Sequence, residues 1–193
     1  MQTSQQKVIV LDFGAQYGQL IARRVRDLHV YSEIMPCDAT AEEIAAEKPS
    51  ALILSGGPAS VNEEGAPRVD PKIYEMGVPV LGFCYGHQIT AVTLGGTVFH
   101  PEVGEYGRAE LHVKGDSKLF AGTPADQTVW MSHFDAVNNV PEGFVVTAST
   151  DVCPVAAMEC PERKIYTTQF HPEVKHTEYG QQLLKNFLFG ICG

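Results

Sequence analysis

The sequence predicts an α/β fold: a mostly parallel central sheet flanked by helices, with an additional antiparallel or mixed sheet in the C-terminal half. Two observations predict it. Up to about residue 96, short uninterrupted apolar runs alternate with amphipathic stretches, the pattern of buried parallel strands joined by helical crossovers. From about residue 97 the helical stretches give way to segments of strand character joined by short turns.

The elements follow in order. Val8-Ile9-Val10-Leu11 reads as a strand buried on both faces. Residues 17–28 place Leu20, Ile21, Val25 and Leu28 on one helical face. Residues 30–34 alternate like a strand, and Thr40-Ala41-Glu42-Glu43 is a capping pattern that opens a helix through Lys48. Ala51-Leu52-Ile53-Leu54 is another buried strand. Residues 78–83 form a fourth, followed by a helix that stops near Gly95-Gly96. Strands are then expected over residues 108–113, 128–131, 144–148, 155–159 and 165–170. A closing helix over 178–191 carries Leu183, Leu184, Phe187 and Leu188. The 193 residues are expected to form one domain, 1–193, large enough to bury a sizeable core.

Composition removes several function classes. The formal net charge of -9 disfavours contact with phosphate backbones, so no nucleic-acid partner is expected. Hydrophobic residues at 44% and charged residues at 19% suit a soluble globular chain. No apolar run approaches the length that spans a bilayer, and the polar first seven residues lack the apolar core of a signal peptide. No membrane partner and a cytoplasmic location are therefore expected. The cysteines at 37, 84, 153, 160 and 192 are odd in number and never two residues apart, which argues against zinc-knuckle and thioredoxin-like motifs. No set of His, Cys and carboxylate residues has ligand spacing, so no metal site is expected.

The most informative stretch is Gly82-Phe83-Cys84-Tyr85-Gly86-His87-Gln88, between a predicted strand and a predicted helix. Glycines two residues before and after a nucleophile make room for a sharp strand-turn-helix elbow. Cys84 would lie at a helix N-terminus, where free amides and the dipole favour thiolate, and the Tyr85 N–H could face a developing oxyanion. Read alone, the motif also fits tight strand–helix packing around an inert cysteine.

A cysteine nucleophile needs a base held by a third group. Of the seven histidines, His171 is the best placed: it ends a strand, and Glu173 two residues on points to the same face of an extended segment. Pro172 keeps His171 extended. Alone, His-x-Glu also fits a surface pair. His87, on the first turn of the helix, is the main competitor, and the positive dipole end there disfavours an imidazolium. It reads as a packing or pocket residue, and His29, His100, His112 and His176 as solvated or structural. Ser55-Gly56-Gly57-Pro58 follows a buried strand and could turn a backbone N–H into the cleft at the C-terminal edge of the sheet, although it also fits an ordinary loop.

Together these segments resemble the class I (triad-type) glutamine amidotransferases. The shared signatures are the 82–88 and 55–58 segments and Gln169-Phe170-His171-Pro172-Glu173-Val174. Within the class, the chain is most similar to the glutaminase domains of the GMP synthase family. That likeness rests on Leu11-Asp12-Phe13-Gly14-Ala15-Gln16-Tyr17, residues 19–26, Trp130-Met131-Ser132-His133 and His176-Thr177. The resemblance implies that Cys84 attacks the glutamine carboxamide, His171 protonates the leaving ammonia and Glu173 orients His171. It also implies that the Gly57 and Tyr85 amides hold the oxyanion, and that Gln88, Ser132, His133 and Phe134 line the glutamine pocket. Water would then hydrolyse the γ-glutamyl thioester. Two positions depart from the pattern: Phe134 stands where many relatives have glycine, and His87 where many two-domain relatives have methionine.

The resemblance implies no cofactor in this chain. ATP and Mg²⁺ are expected on an ATP pyrophosphatase (synthetase) partner, domain or subunit, that uses the ammonia to convert XMP to GMP. No pyrophosphate-binding loop of such a partner occurs here, and the chain is expected to be either a domain cut from a fused enzyme, which the character of the N-terminal motif favours, or a stand-alone glutaminase subunit. Two other readings stay open. One is a class I enzyme serving another pathway or hydrolysing γ-glutamyl peptides, against which the 12–17 and 130–133 segments weigh. The other is a non-catalytic regulatory module, against which the intact Cys84, His171 and Glu173 weigh.

Overall fold

The computed structural model describes residues 6–14 and 16–193. The polar start of the chain, residues 1–5, and Ala15 of the N-terminal motif lie outside the described residues. The elements run β1 Lys7–Asp12, α1 Tyr17–Asp27, β2 Tyr31–Pro36, α2 Ala41–Ala46, β3 Ala51–Leu54, β4 Val80–Phe83 and α3 Tyr85–Thr93. They continue as β5 Thr97–Phe99, β6 Glu105–Val113, β7 Asp126–His133, β8 Ala136–Asn139, β9 Val145–Ser149, β10 Ala157–Cys160, β11 Ile165–Thr168 and α4 Gly180–Lys185.

The large sheet has the order β2-β1-β3-β4-β11-β10-β9-β6-β7, with a separate pair β5-β8. Strands β2, β1, β3, β4 and β11 are parallel neighbours, and β10, β9, β6 and β7 extend the same sheet in antiparallel fashion. The α/β class and its antiparallel C-terminal half are as the sequence predicts. At the junction β11 pairs with β4 on one side and β10 on the other, so the two halves meet edge to edge. That placement carries the segment after β11 to the segment after β4.

Strand alternation divides the core between the two faces of the sheet. Val8 and Val10 join α1 and the C-terminal helical segment on one face. Ile9 and Leu11 join Ile44 of α2 and Ile89 of α3 on the other. Each such fully buried aliphatic side chain contributes roughly 1.5–3 kcal/mol by leaving water. Thr40 caps α2 with the reciprocal bonds of a capping box, as its Thr-x-x-Glu spacing requires. No helix among the described residues is long and apolar enough to cross a membrane.

Three details depart from the sequence reading. The short strands Thr97–Phe99 and Ala136–Asn139 fall outside the expected elements, because three or four residues carry too little alternation to register. A 3-10 turn at Pro71–Glu75, begun by the Asp70 cap, likewise leaves no periodic signal. The closing helix is α-helical only to Lys185 and π-helical over Asn186–Ile191; Asn186 at the junction donates its side-chain amide to the carbonyls of Leu119 and Ala121.

Candidate active site

The elbow forms because two glycines let three backbones converge. A Cβ on Gly82 would sit 2.7 Å from the Gly86 carbonyl oxygen, and one on Gly86 would sit 2.4 Å from the Leu54 carbonyl oxygen. The atoms in the way are backbone and cannot swing aside. Gly86→Ala is accordingly expected to lower stability by about 3 kcal/mol, at the upper end of ordinary overpacking penalties, and to be read as a lower denaturation midpoint in urea. An unchanged midpoint would contradict this account of the elbow.

At the apex, Cys84 has φ 51° and ψ -105°, a conformation costly for a residue with a Cβ. It persists because the surroundings fix it. The Cys84 N–H donates to the Thr168 carbonyl at 2.9 Å, extending the β4–β11 ladder, while its carbonyl accepts from His87 and Gln88 as α3 begins. The thiol is thereby aimed off the sheet edge at the N-terminus of α3. Its Sγ lies 3.6 Å from the Ser132 carbonyl oxygen, and the residue is 6% exposed.

His171 arrives from the end of β11. Its N–H donates to the Trp130 carbonyl at 3.1 Å, and its own carbonyl accepts from the Thr177 hydroxyl at 2.7 Å. Arg24 Nε donates to the Glu173 carbonyl at 3.0 Å. A Cβ on Gly180 would meet the Pro172 oxygen at 1.9 Å, so only glycine lets the turn close this tightly on α4. The Trp130, Thr177 and residue 19–26 segments of the sequence thus serve to fix this turn.

The result brings three side chains together. His171 Nδ1 lies 2.8 Å from Glu173 Oε1, with the residues 1% exposed each. Cys84 and His171 both lie against one face of Gly56, where an added Cβ would sit 3.5 Å from Cys84 Cβ and 3.0 Å from His171 Cε1. Burial alone would lower the His171 pKa, but the Glu173 charge, the neighbouring Cys84 thiol and the hydrogen bond to Glu173 hold it well above the ordinary 6.5. Glu173 Oε2 is buried with no donor among the described residues, so the carboxylate is matched to the imidazole alone. Tyr17 packs on the ring of His171, centroids 4.7 Å apart.

His87 is excluded as a base. It is fully buried, donates Nε2–H to the Val155 carbonyl at 3.0 Å and accepts at Nδ1 from the Thr167 hydroxyl at 2.7 Å. Burial pushes its pKa down to about 3.

Apart from Glu173, which stands behind His171, every predicted site residue lines one cleft of about 800 Å³. Tyr85 is the first residue of α3, so its amide has no acceptor within the helix. The Gly57 amide donates to no acceptor among the described residues. Gly57 itself is forced by Phe13, whose carbonyl oxygen would lie 2.8 Å from any added Cβ. Gln88 donates Nε2 to the Asp135 carbonyl at 2.7 Å and to Gln169 Oε1 at 3.1 Å. Ser132 offers its carbonyl to the thiol. His133 lines the cleft, but its side chain is buried and both ring nitrogens are engaged, with Asp135 O at 2.9 Å and Glu105 Oε2 at 2.8 Å. Glu105, His133 and Cys153 cluster closely enough to suggest a metal, but those hydrogen bonds leave His133 no free nitrogen for one. Phe134 stacks on His100 at 4.2 Å.

Sequence reasoning missed His100, Asp135 and Ser60, which also line the cleft. His100 reads as solvated or structural because nothing near it in sequence suggests a constellation. In the structure its Nδ1 is 2.7 Å from Asp135 Oδ1. The available signal was adjacency: Asp135 directly follows the 132–134 segment, and Ser60 lies two residues after Pro58.

Comparison with known proteins agrees with this geometry. The family described as Glutamine amidotransferase class-I matches residues 9–191. The chain is 61% identical over 187 residues to a GMP synthase [glutamine-hydrolyzing] of Streptomyces coelicolor, covering 96% of this chain and 36% of the relative. It is 54% identical over 190 residues to the one of Syntrophomonas wolfei, covering 98% and 37%. The chain therefore spans little more than a third of these relatives' length. A solved chain from Thermoplasma acidophilum, described provisionally as one subunit of a GMP synthase, superposes with a TM-score of 0.88 at 36% identity, covering 97% of this chain and 94% of that one. A glutamine amidotransferase of Thermotoga maritima shares the fold, with a TM-score of 0.77 at 18% identity and coverage of 97% and 98%. The matched family, the GMP synthase relatives and the shared fold together establish that the chain belongs to the class I glutamine amidotransferases, on their GMP synthase branch.

Proposed function

We propose that the chain hydrolyses glutamine to glutamate and ammonia through a γ-glutamyl thioester on Cys84, and supplies the ammonia to an ATP pyrophosphatase domain or subunit that converts XMP to GMP. The observation that carries this reading is the buried Cys84–His171–Glu173 cluster, whose Cys84 and His171 line the cleft.

The chemistry follows from the arrangement. With the thiol proton on His171, sulfur attacks the carboxamide carbon. Charge develops on the amide oxygen, where the Gly57 and Tyr85 N–H groups are the donors on hand. The His171 imidazolium gives its proton to nitrogen, and ammonia leaves. Water enters, loses a proton to His171 and attacks the thioester, and glutamate departs as the proton returns to sulfur. The sum is glutamine plus water giving glutamate plus ammonia. Glu173 keeps the ring oriented and stabilises its charged form. ATP and Mg²⁺ act on the partner, and this chain needs no cofactor for its half.

The isolated chain is expected to release glutamate slowly. Adding a GMP-forming ATP pyrophosphatase partner with ATP, Mg²⁺ and XMP is expected to accelerate glutamine hydrolysis at least about tenfold and to yield glutamine-dependent GMP, about 1.4 kcal/mol or more off the barrier. GMP formation that requires added ammonium salt and ignores glutamine would overturn the assignment.

A further inference from the structure

We propose that Asp135 is a positioning residue that locks the loop bearing the Gly57 amide to the helix bearing the Tyr85 amide, a role that rests on the glutamine-hydrolysis reading above. The two oxyanion donors come from different parts of the fold. Tyr85 opens α3, whereas Gly57 sits in the irregular segment between β3 and the Pro71–Glu75 turn. Donors must hold their places to within a few tenths of an ångström to stabilise a developing charge, so something must tie that segment to α3.

Asp135, 7% exposed in the turn between β7 and β8, makes that tie with four hydrogen bonds. Its Oδ2 accepts from the Ser60 hydroxyl, three residues past Gly57. Its Oδ1 accepts from His100 Nδ1 at 2.7 Å, at the rim where His100 stacks on Phe134. Its backbone carbonyl accepts from Gln88 Nε2 at 2.7 Å, one turn along α3 from Cys84, and from His133 Nδ1 at 2.9 Å. Ser60 also receives the Asn62 N–H at 3.2 Å on Oγ and the Glu63 N–H at 3.2 Å on its carbonyl, so the tie holds the loop at its own turn. At its other end the loop is fixed by Phe13, whose N–H donates to Ser55 Oγ at 3.0 Å.

Only a carboxylate accepts from both Ser60 and His100. In Asp135→Asn one of the two donors would face an NH₂ group, while the backbone carbonyl bonds to Gln88 and His133 would remain. The variant is therefore expected to lower kcat for glutamine hydrolysis, measured in the presence of the synthetase partner, at least about tenfold, with KM within threefold. Ser60→Ala is expected to lose a similar factor, the double variant no more than either single one, and Ser60→Thr to retain activity. Amide hydrogen exchange gives a readout independent of turnover: exchange of the Glu63 amide, which is bonded to the Ser60 carbonyl, is expected to speed at least about tenfold in both single variants, with α3 unchanged and iodoacetamide alkylation of Cys84 within twofold. Losses that multiply in the double variant, unchanged exchange in the loop, or a raised KM at constant kcat would each overturn the proposal. If the unmodified chain and its partner release no glutamate, the functional reading fails instead, and the exchange measurement still decides whether Asp135 holds the loop.

Discussion

Cys84→Ala is expected to reduce glutamine hydrolysis by at least about 10⁴-fold and to abolish covalent labelling by an electrophilic glutamine analogue. Removing the nucleophile removes the two-step thioester route, and the oxyanion donors alone recover only a small part of the rate. The fold should survive, because alanine keeps the same Cβ at the strained φ of 51°. The other thiols are poor substitutes. Cys153 and Cys192 are pushed up to about 12 by burial, and Cys37 is also raised by burial. Mass spectrometry of the labelled chain checks the assignment. An analogue found on Cys37 or Cys153 with Cys84 unmodified would refute it.

His171→Ala is expected to cost about 10⁴-fold as well, and Glu173→Ala roughly 10- to 100-fold less, since an orienter contributes less than the base it orients. The pH dependence adds an independent check with a definite sign. His171 must be protonated to deliver a proton to ammonia, and its pKa is raised well above 6.5 in the intact site, so activity falls only as pH rises through that raised value. Glu173→Ala removes a charge that raises it and leaves the burial that lowers it. The alkaline limb of the kcat profile is therefore expected to move to lower pH. A limb that stays in place, or equal losses from the two variants, would show that Glu173 does something other than support the imidazolium.

Much of the fold was legible because its signals are local. Four apolar residues in a row at 51–54 became β3 at those residues, and Thr40 with Glu43 became a reciprocal cap. Local signals also marked the elbow, since Gly82 and Gly86 answer clashes within one strand-turn-helix unit and the strand beside it. The pair His171 and Glu173 was legible because two residues on an extended segment share a face. The short strands β5 and β8 were not, and neither was the turn from α-helix to π-helix at Asn186, which coincides with contacts to Leu119 and Ala121 far away in sequence.

By itself the sequence determined which residue types stand at each local geometry: a cysteine between two glycines at a strand end, a histidine two residues before a glutamate, and a glycine pair after a buried strand. Only the tertiary structure decided which of these meet. The pairing of β4 with β11 brings Cys84 to His171, burial disqualifies His87, and the turn after β7 delivers Asp135 to Ser60, His100 and Gln88 at once. The physical reason is range: caps, periodicities and glycine turns are set by neighbours a few residues apart, whereas hydrogen bonds across 75 or 47 residues exist only after the sheet has chosen its strand order.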